Sequence, residues 1–189
     1  DKYSNADWIA SDLIAQAEHD VLAQSILITN SKDLIKSVEK SLKSQLKSLP
    51  KRNIASKSIK NFGLAIYAKN RKKILEVVNI IAPEHLEINF SKYENILKRV
   101  KNAGSVFIGK YSPEAMGDYI AGPNHVLPTS GSAKFSSGLS VNDFLKRQSL
   151  IKITKTGIER LGPSVINLSQ HENLEGHARS IKMRLKKEL

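Results

Sequence analysis

Residues 64–89 read LAIYAKNRKKILEVVNIIAPEHLEIN, and the succession of textures within them decides the fold. Leu64-Ala65-Ile66-Tyr67-Ala68 is a short apolar run with the length of a strand. Arg71 to Ile81 reads as a helix, and His85 to Asn89 as a second strand. Working outward, the same rhythm holds on both sides. Upstream, Asp7 to Glu18 reads as a helix, because Trp8, Ile9, Leu13 and Ala17 recur at helical spacing and Asn5 or Asp7 can cap it. Ser25-Ile26-Leu27-Ile28-Thr29 is a short strand. Ser31 then caps a long helix through about Leu49, where Pro50 ends it, and Asn53 to Asn61 forms another. Downstream, Ser91 to Asn102 is predicted helical and Ser105 to Gly109 extended. Strands that alternate with helices of this length predict parallel strands joined by crossover helices, an α/β layer fold. No G-x-G-x-x-G follows any of the strands, so the usual dinucleotide fingerprint is absent.

The rhythm breaks after Gly109. Tyr111 to Gly138 is rich in Ser, Gly and Pro and has little periodicity. So long a stretch without regular structure is uncommon in a compact domain unless it has a job. Beyond it, Gln148 to Thr154 is predicted to be a strand, and helices are predicted around Gly157 to Leu168 and from about Glu172 to the end. A boundary near Ser140 divides residues 1–139 from a mainly helical unit, 140–189.

Composition narrows the chemistry. The 189 residues are 40% hydrophobic but only 6% aromatic, so aliphatic side chains must build the core. With no cysteine, disulfides and thiolate metal sites are excluded. Any metal must be held by His, Asp, Glu, Gln or water, and a reducing cytoplasm is permitted. The net charge of +12 raises nucleic acid as a partner. Yet the excess is mostly scattered Lys, with only seven Arg, and reads first as solvated helix faces. A basic nucleic-acid-binding module therefore stands as the alternative function. The longest apolar run is far short of the roughly 20 residues that span a bilayer, so no membrane association is expected. The first residues carry no apolar signal segment, and Asp1 in place of Met is expected of a processed or truncated piece.

Candidate chemistry gathers around histidines. Gln16 and His19 end the first helix and, at about 100° per residue, share a face. They read either as two ligands of one metal or, as spacing alone favours, as a polar helix end. Pro83-Glu84-His85-Leu86 lies where a helix gives way to a strand. There a carboxylate beside an imidazole is either a proton-transfer pair or a turn with a solvated Glu and a partly buried His. Gly117-Asp118-Tyr119 and Gly122-Pro123-Asn124-His125 lie in the irregular stretch, where the density of polar groups favours function over an ordinary loop. Glu172 and His177, placed on the last helix, are five residues apart and so about 140° apart around it. On spacing alone they read as a solvent-facing helix.

Taken in order, the motifs resemble histidinol dehydrogenase. They are Ala10-Ser11-Asp12-Leu13-Ile14-Ala15-Gln16-Ala17-Glu18-His19, Pro83-Glu84-His85-Leu86 and Gly104-Ser105-Val106-Phe107-Ile108-Gly109. Ser112-Pro113-Glu114-Ala115-Met116-Gly117-Asp118-Tyr119 and Gly122-Pro123-Asn124-His125-Val126-Leu127-Pro128-Thr129 follow, then Glu172-Asn173-Leu174-Glu175-Gly176-His177. Each is weak alone; their shared order over the whole chain is specific. The weakest stretch is the Lys-rich helix from Asp33 to Leu49.

The resemblance implies roles. Gln16, His19, Asp118 and His177 match the family's zinc ligands, which together with His85, His125 and Glu172 contact the substrate. Glu84 and His85 match its catalytic acid–base pair. The implied reaction is a two-step, NAD-linked oxidation of L-histidinol through the aldehyde to L-histidine in the cytoplasm. His85 takes the hydroxyl proton as hydride leaves for NAD. Glu84 then activates water for attack on the aldehyde, and a second hydride transfer gives the carboxylate. Zinc orients the substrate. The resemblance also implies a homodimer in which His177 and Glu172 complete the partner's site. It implies an incomplete Rossmann-like parallel-sheet layer fold in residues 1–139, with the NAD-binding half and part of the sheet lying upstream of Asp1. The chain alone is therefore expected not to turn over.

Overall fold

The computed structural model describes residues 1–186. They form two units, Asp1–Phe144 and a second that begins at Leu145. The first opens with helix α1 (Ala6–Ala17), whose start is capped by the Asn5 side chain accepting from the Asp7 and Trp8 N–H groups. Strand β1 (Ile26–Thr29) leads into α2 (Lys32–Gln45) and α3 (Arg52–Phe62), which cross over to β2 (Leu64–Tyr67). Then follow α4 (Arg71–Ile81), β3 (His85–Ile88), the single turn α5 (Glu94–Leu97), β4 (Ser105–Ile108) and α6 (Glu114–Tyr119). Both strand pairings are parallel, β1 with β2 and β3 with β4, as the strand–helix rhythm predicts.

Three apolar clusters hold these layers. Ala10 of α1 packs on Leu34 and Val38 of α2, joined by Leu27 of β1. Ala68, Ile74 and Val78 take up Ile28, Leu86 and Phe90. Leu75, Ile88 and Ile96 form the third cluster, which shares Leu86 and Phe90 with the second. The sheet itself is divided: among the described residues, the two strand pairs do not hydrogen-bond to one another. A cleft of about 970 Å³ is bordered by every residue from Ser25 to Thr29 and from Pro83 to Phe90. Consecutive strand residues point to alternate faces, so unbroken runs along the cleft mean that strand edges, not only side-chain faces, border it.

The structure departs from the sequence reading in particular places. Helix α2 stops at Gln45, and tighter bonds from Lys47 N to Ser44 O and Ser48 N to Gln45 O carry the chain toward Pro50. The helix expected over Ser91–Asn102 shrinks to one turn because side chains claim its ends. The Ser91 N–H and hydroxyl donate to the Asp1 carboxylate, and the Asn79 carboxamide oxygen takes the N–H groups of Lys101 and Asn102. The irregular stretch after Gly109 contains α6 and a short 3₁₀ turn, Ser132–Lys134.

The second unit holds α7 (Lys155–His171) and α8 (Glu175–Leu185), packed on each other. Gly162 lets them close up, since a Cβ there would lie 2.9 Å from Ile181 Cγ2. Among the described residues Gln148–Thr154 has no strand partner, and it is not a β-strand. The expected last helix starts at Glu175 rather than Glu172, because Asn173 takes a left-handed conformation (φ 59°) between the two helices. The predicted extension of α8 to the terminus lies beyond the described residues. Among those described, no helix is long and apolar enough to cross a membrane.

Candidate active site

The site is built at the start of β3. Helix α4 ends on Ala82, which is fully buried and left-handed (φ 52°), and Pro83 turns the chain. Next come Glu84 and then His85, the first residue of β3. Open α/β sheets usually bind ligands at the carboxyl ends of their strands; here the imidazole stands at the amino end. Gly104 makes this possible. Its N–H bonds Pro83 O at 3.0 Å, and Ser105 N bonds Glu84 O at 2.8 Å. A Cβ on Gly104 would sit 2.6 Å from Glu84 O, so any other residue would push the Glu84–His85 turn away from β4.

Alternation along β3 puts His85 and Glu87 on one face, and α6 packs against that face. The Glu87 carboxylate accepts the N–H of Glu114, the first residue of α6, at 2.9 Å. An acid at a helix N-terminus is favourable there. Glu114 and Asp118, four residues apart, share a side of the helix. Oε1 of buried Glu114 lies 3.2 Å from His85 Nδ1. The loop after α6 then folds back. Asn124 anchors it, its carboxamide donating to Leu139 O and accepting from Val126 N. His125 stacks on His85 with ring centroids 4.9 Å apart and planes 10° from parallel. Its Nδ1 lies 3.0 Å from Asp118 Oδ1.

One ligand atom from each of His85, Glu114, Asp118 and His125 can be chosen so that all four lie within 4.8 Å of one another. That is a group able to hold a metal ion. Gln16, Glu84, His85 and Glu114 all border the large cleft. His19 is exposed just past the end of α1, close enough for its charge to act on His85. Of the residues picked out by the sequence, the structure gathers Glu84, His85, Asp118 and His125 in one place, with Gln16 and His19 at its border. Glu172 and His177 belong to the second unit. Glu172 follows α7, His177 lies in the first turn of α8, and both are exposed. The metal-capable group shares only Asp118 with the four zinc ligands that the family resemblance implies.

Three acids were not anticipated: Asp12, Glu87 and Glu114. Signals for two of them were present, since Glu114 stands four before Asp118 and Glu87 two after His85. Burial lifts both Glu87 and Glu114 to about 7, with Asp12 adding to the first and Asp118, Glu84 and Asp12 to the second. Asp12, whose carboxyl meets that of Glu87, is also raised by burial. Burial holds His85 below its ordinary 6.5, with His125 and His19 pushing the same way and Asp118 opposing. The ring is thus a neutral base at neutral pH.

The buried carboxyls carry a stability consequence. Glu87 is protonated in the fold up to about pH 7, whereas an ordinary Glu ionises near 4.5. The folded state binds more protons, so this contribution is complete below pH 4.5 and is lost as pH rises through 7. Urea unfolding of the full-length protein should show stability falling from pH 5 to pH 8. Glu87→Gln should flatten that fall by on the order of 1–2 kcal/mol, a figure discounted for the partial exposure of the group. An unchanged slope in the variant would assign the effect elsewhere.

Fold and site together define an α/β protein with a half-buried histidine–carboxylate centre suited to proton transfer and able to take a divalent metal. The comparisons make the class specific. The family model described as histidinol dehydrogenase matches residues 1–185, and the chain belongs to that family. It is 54% identical over 187 residues to a histidinol dehydrogenase of Pelagibacter ubique, covering 99% of this chain and 44% of the relative. It is 51% identical to one from Bradyrhizobium diazoefficiens, covering 98% and 43%. A crystal structure of histidinol dehydrogenase from Elizabethkingia anophelis superposes with a TM-score of 0.93 at 36% identity, covering 96% of this chain and 42% of that one. The chain therefore spans a little under half the length of these relatives.

Proposed function

We propose that this chain supplies the acid–base and metal-holding part of a longer enzyme that oxidises L-histidinol through the aldehyde to L-histidine. The observation that carries the reading is the convergence of His85, Asp118 and His125 beside Glu84 in a chain of this family. His85 takes the hydroxyl proton in the first oxidation. Glu84 activates the water that adds to the aldehyde, and His85 again manages protons in the second. His125 and Glu172 bind the substrate, as do Gln16, His19, Asp118 and His177. Holding the reacting carbon beside a fixed base lowers the barrier through proximity.

The donor set suits zinc. All its atoms are nitrogen or oxygen, and Asp118 Oδ1, although near His125, is buried and takes no well-aligned hydrogen bond. A cation would satisfy that oxygen. Asp118, with Gln16, His19 and His177 of the partner subunit, would hold the ion. Held there, zinc would supply a Lewis-acid anchor that orients the substrate. NAD, when bound, would accept the hydride of each oxidation, and the rest of the full-length protein would supply its binding site. The same remainder would supply strands to the edges of β1 and β3 that border the large cleft, completing one parallel layer. A cytoplasmic homodimer, with Glu172 and His177 reaching the partner's site, completes the proposal. The basic nucleic-acid module gains no support from the comparisons.

The test is stoichiometric. Purified full-length protein with limiting histidinol and excess NAD should yield two NADH and one histidine per histidinol. Arrest at one NADH, or none, would overturn the two-step reading.

A further inference from the structure

We propose that Glu114 is a positioning residue for His85, its carboxylate taking the Nδ1–H of the imidazole so that Nε2 is left as the free base. This rests on the proposed role of His85 as the base. A neutral imidazole carries one ring proton, and the nitrogen that faces an acceptor keeps it. In His85, Nδ1 lies 3.2 Å from Glu114 Oε1, with both side chains about nine-tenths buried. Nε2 of the same ring is buried and takes no hydrogen bond from or to the protein. One nitrogen thus lies within reach of a carboxylate, while the other has no protein partner.

The ring and the carboxylate are both held in place. His125 covers one face of the imidazole at 4.9 Å, and Phe107 stands tilted against it at 6.2 Å. Glu114 cannot drift, because its own N–H is bound by Glu87 of the strand that carries His85. Strand β3 therefore fixes the base and, through Glu87, the group that orients the base. A carboxylate in this position also stabilises the imidazolium that forms once Nε2 has taken a proton, the logic of a carboxylate–histidine pair.

Two variants of the full-length protein separate orientation from packing. Glu114→Leu fills the buried space without an acceptor, and Glu114→Gln keeps an acceptor without the charge. The expected result for Glu114→Leu is a kcat about 10–100-fold lower, with KM for histidinol and zinc content nearly unchanged, and Glu114→Gln should recover a large part of the loss. In parallel, ¹⁵N-histidine NMR of the unsubstituted protein should show His85 protonated at Nδ1 and bare at Nε2. A kcat within about threefold of the parent in folded Glu114→Leu, or a proton on Nε2 of the unsubstituted protein, would overturn the assignment. The NMR reading decides the matter even if the leucine variant fails to fold. If the parent reduces no NAD with histidinol, the enzyme reading falls, while the tautomer still tests the role of Glu114.

Discussion

Replacing His85 by Gln in the full-length protein should lower histidinol turnover by about 10²–10⁴-fold, the usual worth of a positioned acid–base group, while zinc stays bound. The side chain sits where a base is needed and little else would serve. Burial and two neighbouring imidazoles push its pKa down, a buried carboxylate lies 3.2 Å from its Nδ1, and its second nitrogen is unclaimed by the protein. Glutamine keeps a polar group of similar reach but cannot accept and return a proton near neutral pH. Steady-state NADH formation gives the rate, and metal analysis of the same preparation gives the zinc. A loss smaller than about tenfold would remove His85 from the chemistry. A large loss accompanied by loss of zinc would instead make it a metal ligand, as its place in the four-residue group allows.

Much of the fold is legible in the sequence, because the strands and longer helices are decided locally. The Leu64–Asn89 stretch reads strand, helix, strand, and the structure has β2, α4 and β3 there. What escaped the reading was decided at a distance. The turn at Glu94–Leu97 is short because Asp1 and Asn79, remote in the chain, take the donors that a longer helix would use. Gln148–Thr154 has the texture of a strand but no partner to pair with among the described residues. Helix α6 is six residues long and contains Gly117, too brief for periodicity to reveal.

The candidate site divides the same way. Glu84, His85, Asp118 and His125 lie in motifs whose order is specific, and they come together. Spacing alone left Gln16 with His19, and Glu172 with His177, as polar helix surface; only the family resemblance lifted them out. The turn at Asn173 explains part of the difficulty, since it places Glu172 and His177 on either side of a helix break rather than on one helix. Glu87 and Glu114 were missed because a buried acid is recognised by what surrounds it, and those surroundings are tertiary. Gly104 is similar: its need for a missing Cβ comes from Glu84 O, twenty residues back.

Asp118 is the residue on which the metal reading turns. It is the one member of the group able to hold an ion that is also among the ligands implied for zinc, and its buried Oδ1 has no well-aligned protein donor. Outer-shell partners of metal ligands are worth 10–100-fold in affinity, so removing a carboxylate ligand should weaken zinc by at least about 100-fold. The direct measurement is metal analysis of full-length protein and its Asp118→Ala variant after dialysis against a weak chelator, with thermal unfolding to confirm the fold. The parent should retain about one zinc per chain and the folded variant almost none. A folded variant that keeps its zinc, or a parent that holds none, would contradict the account.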